Sequence, residues 1–445
     1  MHPTPEATTL FGMSTIWVAA FLFVGTYLVI MSEKINRAIV ALLGAGLMIL
    51  TGILNQQAAI RGVDFNTLGL LTGMMVIVAI TRKSGIFQYV AIWSTKKVDA
   101  KPGGILVMLS VVTALFSALL DNVTTVLLVT PIILLITEEL NIKPYPYLFS
   151  AIFAANIGGT STLIGDPPNI MIGSAANLTF NDFLLNLAPI IAVVFFATLL
   201  PIYLIWRKDF IVKEEARMRV MSFNENEAIT DPRLLKQSLF VLTLVIGGFI
   251  LSHPLHLEPA TIAMFGAALL LLLENFPHHA EHQSKNVHGA FAEVEWVTIF
   301  FFVGLFILVS GIEQTGLIKL MTDHLLLATN GDLLTTTMTI LWGSAILSAL
   351  VDNIPFVATM IPLIKSMAPT FGGTEQLMPL WWSLALGACL GGNGSLIGAS
   401  ANLVVAGFAE RAGYPIRFMT FLAIAFPLML MSIAISSVYV YFRYL

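Results

Sequence analysis

Apolar runs follow one another along almost the whole chain. In the first half they cover about 14–32, 36–54, 64–81, 104–120, 124–137, 147–173 and 183–206. In the second they cover about 238–252, 258–275, 294–311, 333–351, 355–368, 379–407 and 417–442. Runs near 20 residues cross a bilayer as helices, since a rise of about 1.5 Å per residue matches its hydrocarbon core of about 30 Å. The runs are continuous rather than alternating, which argues against a β-barrel. The pattern predicts an all-α polytopic membrane protein. Composition agrees: 11% of the residues are charged, against about 25% in soluble domains, and mean hydropathy is +0.87.

The polar interruptions are more informative than the runs. One is long: Arg207 to Gln237 mixes acidic and basic side chains and predicts a cytoplasmic linker or surface helix. Four others are short and sit inside apolar segments. They are Asp121-Asn122-Val-Thr124-Thr125, the stretch from Asn156 to Asn169, Asp352-Asn353-Ile-Pro355, and the stretch from Gly391 to Asn402. A carboxylate at the centre of a bilayer costs roughly 2.5–3.5 kcal/mol on insertion scales, so such residues mark function by default.

The interruptions repeat. Gly73 answers Gly304, Asp121-Asn122 answers Asp352-Asn353 and Pro131 answers Pro362, at one constant spacing (352 − 121 = 231). Further on, Gly158-Gly159 answers Gly391-Gly392 and Asn169 answers Asn402, with the spacing grown to 402 − 169 = 233. The chain is therefore expected to hold two repeats, 1–206 and 238–445, around a linker at 207–237. If each Asp-Asn segment re-enters as a hairpin, each repeat crosses five times and the second is inverted. That gives about ten transmembrane helices plus two re-entrant hairpins. With both termini outside, Lys34, Arg37, Arg82, Lys83, Lys96, Lys97, Lys101, Lys143, the basic linker residues, Lys285, Arg411 and Arg417 fall inside. Only Arg61, Lys319, Lys365 and Arg443 stay outside, a strong positive-inside bias. The expected location is the plasma (inner) membrane, multi-pass. The short polar Met1–Phe11 lacks the basic start of a cleavable signal.

Paired glycines followed by small hydroxyl residues break a helix in mid-membrane and free backbone groups for a polar solute. The expected substrate-binding residues are Asn122, Thr124, Thr125, Thr160, Ser161, Thr162, Asn169, Asn353, Asn393, Ser395 and Asn402. The expected proton-coupling residues are Asp121, Asp166 and Asp352, because an unpaired carboxylate out of water favours its protonated form. The same carboxylates fit as caps of the half-helices behind them, and the two roles are compatible. Asp166 has no repeat partner, since Ala399 stands at its counterpart. Cys389, the single cysteine, is expected to be a small apolar filler. The run Pro277-His278-His279-Ala-Glu281-His282, with His288, reads as a solvated loop rather than a metal site. No metal and no cofactor are expected. There is no phosphate-binding loop, so the chain does not drive transport with ATP by itself. No nucleophile–base set is visible, so an enzyme is not expected.

The stretch Asp121-Asn-Val-Thr-Thr-Val-Leu-Leu-Val-Thr-Pro131, with Asn156-Ile-Gly-Gly-Thr-Ser-Thr-Leu-Ile-Gly-Asp-Pro-Pro-Asn-Ile170, resembles the ArsB/P-protein/NhaD branch of the ion transporter superfamily. The resemblance spans nearly the whole chain. It implies a scaffold domain, a transport domain holding both hairpins, and elevator-like alternating access. It is compatible with a homodimer and with an ATPase partner, and implies no nucleic acid. One departure is Pro355-Phe356, which replaces the second-repeat threonine pair. With three carboxylates and no evident Arg or Lys, the site is expected to suit neutral or cationic cargo. Arsenite or antimonite exported against protons comes first. A sodium/proton antiporter or a P-protein-like anion pathway is the alternative.

Overall fold

The computed structural model describes residues 13–276 and 279–445. The question of a leader at Met1–Phe11 lies outside the described residues, as do Pro277 and His278. Among the described residues the secondary structure is helical, with no strand. Eighteen helices build the membrane part and its two connecting arms. The first nine are α1 Thr15–Met31, α2 Arg37–Leu50, α3 Phe65–Arg82, α4 Ile86–Lys97, α5 Pro102–Leu119, α6 Asn122–Glu139, α7 Tyr145–Thr160, α8 Pro167–Ala176 and α9 Ala188–Trp206. The second nine are α10 Pro232–Ile250, α11 Pro259–Asn275, α12 Trp296–Gln314, α13 Leu317–Ala328, α14 Leu333–Leu350, α15 Asn353–Ser366, α16 Met378–Gly391, α17 Ser400–Arg411 and α18 Phe418–Tyr444. Eight described helices are long and apolar enough to cross a membrane, and α1, α2 and α11 are shorter apolar helices.

The packing repeats with the numbering. Helix α5 lies against α7 as α14 lies against α16, and α6 meets α17 as α15 meets α8. Helix α3 packs on α11 as α12 packs on α2. The close crossings rest on glycine. A Cβ at Gly73 would lie 2.6 Å from the backbone of Ala263, and one at Gly304 would lie 2.6 Å from the backbone of Ala41. Each repeat thus lends a helix to the other's bundle.

The helices sort into two groups. Helices α1–α3 and α10–α12 pack on one another. The hairpins α5–α6 and α14–α15 pack with the interrupted helices α7–α8 and α16–α17, flanked by α9 and α18. Each hairpin turns at its Asp: only Leu120 and Asp121 separate α5 from α6, and Val351 and Asp352 separate α14 from α15. The Asn122 amide bonds the Gly165 carbonyl in the break between α7 and α8. The 10 residues of α8 run on beyond that break, about 15 Å of helix. The first tip therefore meets the break between α7 and α8 rather than the far end of α8.

The sequence patterning does not predict the arms α4 and α13, 12 residues each and flanked by charge. Nor is the linker merely solvated. Residues Glu214–Met221 form a short helix, and Lys96 of α4 donates to Glu225 and to the Phe223 carbonyl. Helix α10 starts at Pro232, earlier than the apolar run implies, because Asp231 caps it by accepting from the Arg233 and Leu234 amides.

Candidate functional site

The two tips and the two broken helices meet in one buried polar cluster. Asn122, Asn156, Asp166, Asn169, Cys389, Asn393 and Asn402 are all at most 3% exposed. At its centre Asn156 Nδ2 donates to Asn402 Oδ1 at 2.8 Å and to Asn393 Oδ1 at 3.0 Å. Asn156 Oδ1 in turn accepts from Asn122 Nδ2 at 3.2 Å. This chain of amides ties the first hairpin and α7 to the broken helix of the other repeat.

Two of the expected binding residues have a clear architectural task. Asn169 Nδ2 donates to the carbonyls of Thr160 and Thr162, at 3.0 and 2.8 Å. Its repeat counterpart Asn402 donates to the carbonyls of Gly392 and Ser395, at 2.8 and 2.9 Å. Each amide satisfies acceptors that its own helix break set free. The other face of each amide is bonded across the repeats: Asn156 to Asn402, and Cys389 Sγ to Asn169 Oδ1 at 3.5 Å. Cys389 is the repeat counterpart of Asn156 (389 − 156 = 233). It takes the corresponding place in the cluster and is not a plain apolar filler.

The hydroxyls are also engaged. Thr162 donates to the Ala118 carbonyl and Ser395 to the Ala349 carbonyl, stapling each break to the hairpin beside it. Thr160 and Ser161 donate to the Asn156 and Gly158 carbonyls. Among the described residues, the buried polar atoms of the cluster left without a protein partner are Asn122 Oδ1, Thr125 Oγ1 and Asn393 Nδ2. They comprise a carbonyl, a hydroxyl and an amide nitrogen, so a solute that both donates and accepts would match them.

The three aspartates separate. Asp121 caps α6, accepting from the Thr124 amide at 2.7 Å, and Thr124 itself is half-buried beside it. Asp352 caps α15, accepting from the Ile354 amide at 3.1 Å. Asp166 stands at the N-cap of α8 and makes no cap bond. It is 1% exposed and meets Asn353 Nδ2 at 3.4 and 3.5 Å. Among the described residues no cation pairs with it.

One expectation is corrected. The site does contain a cation: Arg37, at the start of α2. Its Nη1 donates to Asp352 Oδ2 at 2.8 Å and to Ser400 Oγ at 2.7 Å, and its Nη2 to Thr298 Oγ1 at 3.3 Å. In the sequence Arg37 reads only as an inside charge, and 315 positions separate it from Asp352. The histidine run forms no metal cluster among the described residues. Its His279 stands at the N-cap of a short helix, Ala280–Ala292.

A helical membrane protein with two broken helices and two hairpins converging on buried polar groups has the build of a membrane transporter. The comparisons say which family. Residues 27–387 match the citrate transporter (CitMHS) family, and the chain belongs to it. It is 40% identical to an uncharacterized transporter of Mycobacterium bovis, over 96% of this chain and 98% of that one. It is 33% identical to an uncharacterized transporter of Synechocystis, over 94% and 95%. The P protein of Sus scrofa is 32% identical over 95% of this chain, which spans 59% of that longer protein. The YdaH transporter of Alcanivorax borkumensis shares the fold, with a TM-score of 0.58 at 13% identity and coverage of 95% and 97%. The comparisons give no support for a specific likeness to an arsenite permease.

Proposed function

We propose that this transporter is a proton-coupled secondary exporter of a small uncharged hydroxylated solute, with arsenite or antimonite as the case that fits. The observation that carries this is Asp166, a carboxylate buried between the repeats that neither caps its helix nor meets a cation. A group so placed exchanges a proton more readily than one held by an ion pair. The partnerless Asn122 Oδ1, Thr125 Oγ1 and Asn393 Nδ2 support the cargo class, since the hydroxyls of As(OH)3 both donate and accept. The family description names citrate. A tricarboxylate would face Asp121 and Asp166 uncompensated, while the one nearby guanidinium is committed to Asp352. A sodium/proton antiporter is the second reading, favoured by the same unpaired Asp166 next to a threonine-rich tip. In the proposed orientation both termini lie outside the plasma membrane and the second repeat is inverted.

Uptake of arsenite and of sodium by everted vesicles holding the full chain separates these readings. The expected result is arsenite uptake that collapses with a protonophore and is lost in Asp166→Asn. No arsenite uptake, with sodium dissipating the pH gradient, replaces the first reading by the second. Neither activity refutes both.

A further inference from the structure

Arg37 is the feature that the proposed transport chemistry leaves unused. It belongs to α2, in the helix group that contains neither tip, yet its guanidinium ends on Asp352 and Ser400, at the second tip and the start of α17. Ser400 Oγ donates in turn to the same carboxylate oxygen, at 3.1 Å. The guanidinium lies 5.0 Å from the centre of the Phe301 ring of α12. Its second nitrogen is held by Thr298, which itself donates to Glu295 at 3.1 Å. The residue is thus fixed from one helix group while it grips the other. Beside it Tyr27 of α1 donates to the Pro355 carbonyl at 2.8 Å, a second tie to the same tip.

Among the described residues the first tip has no such tie. Ala41 and Ala263 take equivalent places at the two glycine crossings (263 − 41 = 222), so the counterpart of position 37 is Pro259, and among the described residues no cation pairs with Asp121. The seam between the helix groups is unequal in the same way. Helix α12 packs on the second hairpin arm α15, whereas its counterpart α3 packs instead on α8. A cavity of about 290 Å³ opens beside the pin, lined by Glu33, Asn36, Arg37, Asp352 and Ser400 among others. The charged groups facing the pair are Glu33 from the α1–α2 loop, Glu295 from the start of α12, and, at longer range, Asp166.

We propose that Arg37 is a built-in pin: by holding Asp352 from α2 it fixes the second hairpin to the helix group that contains neither tip. This rests on the proton-coupled reading above. The second hairpin leaves α2 only when this ion pair breaks. An empty carrier therefore stays pinned, which suppresses futile movement. Arg37 acts here on the hairpin's position and not on the cargo.

Hydrogen exchange of the full chain in nanodiscs tests the pin without any cargo. In Arg37→Gln, exchange at residues 350–356 is expected to rise by about tenfold, as for the loss of a half-buried pair, while residues 120–126 are unchanged. Asp352→Asn should do the same, and the double variant should add nothing further. Arg37→Lys, which keeps the charge, should restore most of the protection. A second arm uses cargo-free liposomes: Arg37→Gln should let an imposed pH gradient decay faster than wild type. Unchanged exchange at 350–356, an equal rise at both tips, or an unchanged proton leak overturns the proposal. If no arsenite or sodium is carried, the transport reading fails while the exchange arm still reports on the pin.

Discussion

At Asn402 and Thr125 two buried polar residues close to the same centre make opposite predictions. Asn402 holds two carbonyls freed by the helix break. Asn402→Ala leaves them unpaired, and buried groups left so cost about 1–3 kcal/mol. Its thermal unfolding in detergent should fall by several degrees, whether or not cargo is present. Thr125 Oγ1 has no protein partner. Thr125→Val keeps the shape, so the unfolding temperature should stay put while KM for cargo rises by about tenfold, as for one lost hydrogen bond. Unchanged transport in that variant would remove Thr125 from the site. The sequence made both residues visible, since polar groups in apolar helices stand out. It did not distinguish the staple from the buried hydroxyl left without a partner, because that depends on which carbonyls the break leaves bare. The likeness of Cys389 to Asn156 was latent in the 233-residue spacing, but a thiol and an amide share no residue type. Arg37 carried no signal of its role, since a basic residue starting a helix reads as a membrane-face charge.

Among the elements, the hairpins and broken helices were legible and the arms were not. Hydropathy finds runs near bilayer length, and α4 and α13 are only 12 residues each. The crossings by contrast follow from composition: Gly73 and Gly304 admit backbones that a side chain would push away. Gly304→Val should lower the stability of the α2–α12 pair by about 1–3 kcal/mol through overpacking, read by thermal unfolding. Gly247→Ala is the control, since nothing lies within 4 Å of a Cβ there. The linker is held by the Lys96–Glu225 pair, and the Lys96 hydrogen bond keeps the Glu225 carboxyl below the usual range. A lowered folded-state pKa means that this contribution is present above the ordinary glutamate range and is lost as pH falls through the lowered value. Limited proteolysis within 222–231 should therefore speed up on acidification below about pH 4, and already at neutral pH in Glu225→Gln. Equal cleavage in variant and wild type would show that the pair does not hold the linker.

For the whole molecule, the duplication is kept inside each helix group and broken at the seam between them. Helix α15 packs on α12 and α8 on α3, while their repeat counterparts make at most marginal contact. On the proposed transport reading, two equivalent halves docked unequally correspond to one end of an alternating-access cycle. The other end would then exchange the roles of the tips. The repeat and its periodicity were legible in the residue pattern, but the seam depends on the relative position of packed groups, which no local pattern encodes. The central claim is that a proton on Asp166 is exchanged for cargo across this seam. Its most direct test is countertransport by the purified chain in proteoliposomes, with an outward cargo gradient and a pH dye inside. The account predicts that arsenite flux drives protons the opposite way, and that Asp166→Asn abolishes the coupled proton movement. Arsenite flux with no proton movement, or full coupling in Asp166→Asn, would contradict it.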